Sequence, residues 1–285
     1  MTILSGIAAA ALAALLALPV AATGGIAGLR PPVATNHRGR SVPLSIGMAL
    51  ACGYGGVGVL AALHAFGGSD RSFGVEVLWV LLAMAVVYGA GLYDDLRPAS
   101  VHGLRTHFGE LAHGRITSGI VKLVAALVAS AVAAFGAGGR GWSLVLAIPL
   151  IAGVTNLLNL LDVAPGRALK FGLCFAVGLL IAESSPLAWA SAGQTAALLP
   201  FDVRERGMLG DAGSNLLGFV LGYLLWRRLS TVGMVVALAA VLVLHALAET
   251  VTFTRIIRAT PPLRWFDDLG RLPAQDHGAA PAGGG

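Results

Sequence analysis

Acidic, amide and glycine residues interrupt an otherwise apolar chain in a few short clusters, each where an apolar run begins or ends. The first is Asp94-Asp95, within Gly91-Leu92-Tyr93-Asp94-Asp95-Leu96-Arg97-Pro98. Adjacent carboxylates at a membrane boundary repel each other and lose hydration, so they attract a cation, a proton or a basic partner. Alone, they better fit a solvated helix terminus stopped by Pro98. The second cluster is Asn156, Asn159 and Asp162, spaced every third residue in Thr155-Asn156-Leu157-Leu158-Asn159-Leu160-Leu161-Asp162. That spacing keeps all three on one stripe of a helix whose other faces are apolar, so they must face protein or water. Hydrogen-bonding glue between helices is the plainer reading; three together at one helix end favour a site.

A third cluster is Met208-Leu209-Gly210-Asp211-Ala212-Gly213-Ser214-Asn215. Free N–H groups and the dipole at a helix start favour anions such as phosphate, and Gly210, Gly213 and Ser214 let a ligand come close. Asp211 there is either an N-cap or a hard-oxygen ligand for Mg²⁺. His245, Glu249, Thr252 and Arg255 recur at helical spacing and give the last apolar run one polar face. Lys122 lies five residues into a run, where it either snorkels to the interface or neutralises a phosphate. His102, His107 and His113 are spaced by five and six residues, which suits neither a helical metal pair nor a compact zinc site.

These residues need helices to hold them. Runs long enough to span a bilayer, about 20 apolar residues, lie near 3–29, 44–66, 73–93, 117–136, 142–162, 168–183, 186–202, 212–226 and 232–257. The expected fold is therefore all-α, a polytopic transmembrane bundle of about nine spans. With the N-terminus outside, Arg30, Arg38, Arg40, Arg97, Arg105, Arg115, Arg167, Lys170, Arg204, Arg206, Arg255, Arg258, Arg264 and Arg271 all fall inside. Only Arg71, Arg140, Arg227 and Arg228 fall outside, so the positive-inside rule selects this orientation and an inside C-terminus. The chemistry-bearing clusters then share the cytoplasmic face. Residues 1–271 form one membrane domain, and the Ala-, Pro- and Gly-rich stretch 272–285 is expected to be a disordered cytoplasmic tail.

Composition agrees. The 285 residues are 56% hydrophobic and 12% charged, against roughly 25% charged in soluble domains. The net charge of +5 is dispersed among short loops, where it sets topology and gives no nucleic-acid footprint. Cys52 and Cys174 lie inside apolar runs and suggest neither a disulfide nor a metal site. The first run has no Lys or Arg before it and is too long for a signal peptide core, so it is expected to be a retained helix.

The order of motifs, Asp94-Asp95, then Asn156-x-x-Asn159-x-x-Asp162, then Gly210-Asp211-x-Gly213-Ser214, resembles the polyprenyl-phosphate N-acetylhexosamine-1-phosphate transferases. Phospho-N-acetylmuramoyl-pentapeptide transferase and the UDP-GlcNAc:undecaprenyl-phosphate GlcNAc-1-phosphate transferases belong to that family. Asn36-His37-Arg38-Gly39-Arg40-Ser41-Val42-Pro43 and Leu199-Pro200-Phe201-Asp202 add to the likeness, which runs from about Arg30 to Arg271. It implies transfer of a sugar-1-phosphate from a UDP-sugar to a polyprenyl phosphate, releasing UMP, with Mg²⁺ as cofactor. By the same resemblance Asp211 and Asn159 hold the metal. Asp94 or Asp95 deprotonates or orients the lipid phosphate, Asp162 and Asn156 shape the site, and Lys122 and Arg97 are phosphate contacts. The partners implied are the membrane, polyprenyl phosphate and a UDP-sugar, in bacterial cell-wall or peptidoglycan precursor synthesis at the inner membrane, with room left for a homodimer.

The chain departs from the family at named places. After Asp162 the family continues with Gly and a second acidic or amide residue, whereas this chain reads Val163-Ala164-Pro165-Gly166-Arg167. Met208 stands where an aromatic is usual, and Pro261-Pro262-Leu263-Arg264-Trp265-Phe266-Asp267-Asp268 replaces a His-rich motif. These changes touch the sugar-nucleotide side more than the metal side, which implies a divergent donor or acceptor. The alternative is a catalytically inactive relative that binds polyprenyl phosphate as a membrane scaffold. A transporter would place its charges near the bilayer midplane, not at one boundary.

Overall fold

The computed structural model describes residues 3–26, 28–36, 38–68, 70–97, 104–182 and 185–273. His37, Pro98, His102, the side chain of His107 and the expected tail from residue 274 lie outside the described residues.

Among the described residues nine long helices overlap the apolar runs: α1 (Ile3–Thr23), α2 (Ser45–Gly67), α3 (Arg71–Leu96), α5 (Ser118–Gly136), α6 (Gly141–Leu161), α7 (Arg167–Ala182), α8 (Pro186–Val203), α9 (Gly210–Arg228) and α10 (Thr231–Thr250). Between α3 and α5 lies the short helix α4 (Leu104–Ala112), and α11 (Phe253–Ala259) and α12 (Pro261–Asp268) follow α10. Among the described residues six helices, α1, α2, α3, α5, α6 and α10, are long and apolar enough to cross a membrane. The chain is a multi-pass membrane protein. Its surface is lipid-like, with Leu4, Val124, Trp142, Val236 and Leu242 all exposed, as expected where the solvent is hydrocarbon.

Of the other three long helices α7 is the shortest, at 16 residues, while α9 is less apolar, and packing explains why. α9 is enclosed by α2, α3, α6, α7 and α8, and nearly every residue from Ala212 to Trp226 is buried. A helix wrapped by protein can carry Gly210, Asp211, Ser214 and Asn215 because none of them meets lipid. By contrast α10 packs on α6 and buries only Met234 and Val241.

Two expectations change in detail. The last apolar run is not one helix to residue 257: α10 ends at Thr250, and Thr252 instead caps α11, accepting from Arg255 N at 3.3 Å. His245 and Arg255 therefore share no helix face. The first run stops at Thr23, and a hairpin of β1 (Val33–Thr35) and antiparallel β2 (Ser41–Pro43) follows. That hairpin is tied to the loop before α9, because Met208 N donates to Pro43 O at 2.9 Å and Ile46 N to Met208 O at 3.2 Å.

Candidate active site

Four helix ends meet at one end of the bundle: the last turn of α3, the second turn of α5, the last turn of α6 and the first turn of α9. Gly91 on α3 allows the approach, since a Cβ there would lie 2.5 Å from the Ala212 Cα of α9. Asp94 is buried at this end of α3, 7% exposed. Its Oδ2 accepts from Lys122 Nζ at 2.5 Å, and the same ammonium donates to Asp211 Oδ2 at 2.6 Å. Lys122 does not snorkel; it bridges two carboxylates from different helices. Asn159 Nδ2 donates to the other oxygen of Asp211 at 2.8 Å and to Ser214 Oγ at 3.0 Å. One charge-rich chain, Asp94–Lys122–Asp211–Asn159–Ser214, thus links α3, α5, α6 and α9.

Asp95 turns toward the start of α9. Its Oδ1 and Oδ2 accept from the backbone N–H groups of Asp211 and Ala212 at 2.9 and 3.0 Å. These are orphan donors of a helix N-terminus, so Asp95 caps α9 from a neighbouring helix. Gly210 stands at φ +69°, and a Cβ there would sit 3.0 Å from Asp95 Oδ2, so both the turn and the close approach call for glycine. Asp162 is the residue after α6. Burial first, and then the carboxylates of Asp202, Asp211 and Asp95, push its carboxyl well above the usual carboxylate range, while the Gly210 N–H opposes this by bonding its charged form.

The remaining expected residues sit apart. Arg97 caps α3 and donates to its own helix's Tyr93 Oη at 2.8 Å, its guanidinium stacked 4.8 Å from that ring. Asn156 is half-buried one turn further into the bundle than Asn159. Gly213 serves packing: a Cβ on it would lie 2.6 Å from the Gly47 Cα.

Sequence reasoning missed a second polar cluster at the same end. Arg167, 1% exposed, donates Nε and Nη2 to the two oxygens of Asp267 at 2.8 and 2.9 Å and Nη1 to Thr254 Oγ1 at 2.8 Å. Arg271 Nη2 reaches Asp267 at 2.6 Å, and Lys170 Nζ meets the carbonyls of Phe266 and Asp267 at 3.1 and 2.5 Å. Burial acts to raise the Asp267 pKa, but the Arg167 and Arg271 guanidiniums outweigh it and hold the carboxyl below its ordinary range. The hairpin joins in, with Asn36 Nδ2 and Arg38 Nε donating to Glu205 at 2.7 and 2.8 Å. The i, i+4 pair Asp267–Arg271 beside Pro261-Pro262 was the available signal for a structured tail.

The first cluster is suited to a phosphate reaction. It gathers carboxylates, an amide and one ammonium at the rim of a membrane bundle, where a lipid headgroup and a water-soluble substrate can meet. No curated protein matches the chain in sequence. Residues 77–228, just over half of the chain, match the family model described as glycosyl transferase family 4, and the chain belongs to that family.

Proposed function

We propose that the protein transfers a sugar-1-phosphate of the HexNAc-1-phosphate type from a UDP-sugar to polyprenyl phosphate and releases UMP. The setting is the cytoplasmic face of the bacterial inner membrane, in envelope-glycan or peptidoglycan precursor synthesis. Membership of glycosyl transferase family 4 supports a polyprenyl-phosphate sugar-phosphate transferase. The observation that carries the finer reading is Lys122 Nζ held between Asp94 and Asp211, with Asn159 on the far side of Asp211.

In this reaction an oxygen of the lipid phosphate attacks the sugar-bearing phosphorus of the donor. The new O–P bond forms as the bond to UMP breaks, and UMP leaves with that electron pair. Positioning and charge neutralisation matter more than a strong nucleophile. Of the two adjacent acids, Asp94 is the better proton acceptor: its Oδ1 is buried without a hydrogen-bond partner among the described residues. Both oxygens of Asp95 are already used by α9, so Asp95 aims the Asp211 turn. Lys122 lies where it can balance the charge of two phosphates. Asp162 and Asn156 line the α6 side, while Gly210, Gly213 and Ser214 shape the turn beneath the donor; Arg97 stands at the rim as a phosphate contact.

Mg²⁺ fits the residues present. Asp211 offers hard carboxylate oxygen and Asn159 an amide beside it. Among the described residues no three His, Cys, Asp or Glu side chains form a metal cage, so an ion held by Asp211 and Asn159 would have to take its remaining oxygens from water and substrate phosphates, as Mg²⁺ commonly does. Bound there, the ion would neutralise the donor diphosphate.

The test mixes purified protein with UDP-HexNAc donors, polyprenyl phosphate and Mg²⁺ and measures UMP. Asp211→Ala is expected to cut the rate by a factor on the order of 10²–10³. Equal UMP release by wild type and Asp211→Ala would sink the proposal. Metal-dependent binding of polyprenyl phosphate without UMP would favour the scaffold.

A further inference from the structure

The stretch that follows Asp162 makes few bonds of its own. Val163 N donates to Leu161 O and Arg167 N to Ala164 O, both ordinary turns. Gly166 O also accepts from Lys170 N at 2.9 Å at the start of α7, and two bonds come from more distant residues: Gly166 N donates to Asp202 Oδ2 at 3.0 Å, and Arg271 Nε donates to Pro165 O at 2.8 Å. Arg271 lies past the end of α12, so this bond is not needed to form that helix. Nor is it needed to seat it. The bidentate Arg167–Asp267 pair, the Lys170 contacts and the edge-to-face packing of Phe171 on Phe266, 5.6 Å between centroids, already do so.

We infer that Arg271 is a positioning residue for the sugar-nucleotide donor, holding the 162–166 loop through the Pro165 carbonyl while Asp267, itself held by Arg167, fixes its guanidinium. The inference rests on the transfer reaction proposed above. Its direction follows from how the two substrates arrive. The acceptor's hydrocarbon chain lies in the bilayer and reaches the helix ends sideways. The donor is water-soluble and must enter from beyond those ends, where this loop projects with Val163 62% exposed. A loop displaced by even an ångström at that entrance misplaces the donor phosphorus, a shift that can cost up to a hundredfold in rate. The arginine fork matters because one side chain must reach Pro165 O and the Asp267 carboxylate together, which a lysine ammonium on a flexible stem does poorly.

Arg271→Ala and Arg271→Lys are compared with wild type in steady-state assays that vary each substrate in turn. Arg271→Ala is expected to raise KM for the UDP-sugar on the order of tenfold, with KM for polyprenyl phosphate unchanged and Arg271→Lys in between. Equal changes in both KM values, or a fall in kcat alone that follows the loss of folded protein, would overturn the inference. Hydrogen exchange reads the same link without turnover. Exchange in Arg271→Ala should quicken at 162–167 and stay unchanged in α2 and α3. Unchanged exchange at 162–167 overturns the inference even if the wild type transfers sugar phosphate. Faster exchange there in a protein that releases no UMP supports the loop contact and counts against the transferase reading.

Discussion

Two charged clusters lie at the same end of the bundle and are finished to different degrees. Around Asp267 every strong group is matched: the carboxylate takes Arg167 through two parallel bonds and Arg271 through a third, and Lys170 meets backbone carbonyls. Around Asp94 the matching is incomplete. One ammonium serves two carboxylates, and Asp94 Oδ1 is buried with no partner among the described residues. A saturated network fastens, whereas an unsaturated one keeps valence for something that arrives. Burying charge costs several kcal/mol per ion before pairing repays it. The Asp267 cluster recovers that cost in the folded chain, whereas under the proposed reaction the Asp94 cluster would recover it fully only with substrate bound.

The largest effect should follow from removing the shared cation. Lys122→Met leaves the carboxylates of Asp94 and Asp211 facing each other with no positive charge between them. UMP release should fall by a factor on the order of 10² or more, as for loss of a group that stabilises developing charge. If the unfinished cluster keeps its valence for phosphates, inorganic phosphate or polyprenyl phosphate should protect the wild type from thermal unfolding, and Lys122→Met should lose that protection. Wild-type rates in Lys122→Met would reduce this cluster to a fastening like the other.

The contrast also marks what the sequence made legible. Asp94, Lys122, Asn159 and Asp211 each stand near an end of an apolar run, and since alternate run ends share a membrane side, their convergence could be read before any coordinates. Helix positions were legible for the same reason: a span must satisfy its backbone internally. The division of labour within Asp94-Asp95 was not legible, because adjacent residues on a helix point about 100° apart and only the packing of α9 decides which one becomes its cap. The Asp267 cluster was illegible too. Its partners Arg167 and Arg271 lie 100 residues away and four residues away, and arginines at loop boundaries read first as topology signals. The break of α10 at Val251 depends on Thr252 acting as a cap, a role its helical spacing with His245 disguised.

The next effect is on stability. Asp267→Asn leaves Arg167 buried without its counter-charge, and breaking such a pair typically costs about 3–5 kcal/mol. Replacing Arg167 and Asp267 together by leucines should restore much of this, since apolar substitutes for a buried ion pair are often neutral. A matching acid dependence follows from the pKa. Asp267 is held below its unfolded value, so its stabilisation is present above that unfolded value, about 3.9 for an aspartate. It is lost as pH falls through the lower folded value. Thermal unfolding should thus show an acid limb below about pH 4 that is reduced in Asp267→Asn. An identical limb in both proteins would remove Asp267 from the account.

The smallest effect tests where the boundary between fastening and chemistry runs within one dipeptide. Asp95 sits in the unfinished cluster by sequence but is bonded like a member of the finished one, with two α9 N–H groups on its two oxygens. Losing a helix cap costs about 1 kcal/mol, so Asp95→Ala should lower stability by roughly that much. Asp95→Ser should recover part of it, because a hydroxyl can still accept one of the two N–H groups. If Asp95 acts only by holding the Asp211 turn, UMP release in Asp95→Ser should recover alongside stability, whereas Asp94→Ser should fold and yet transfer no sugar phosphate. Should Asp95→Ser recover its stability and remain inactive, Asp95 touches the reacting phosphates itself, and the proton-accepting role assigned to Asp94 is shared across the pair.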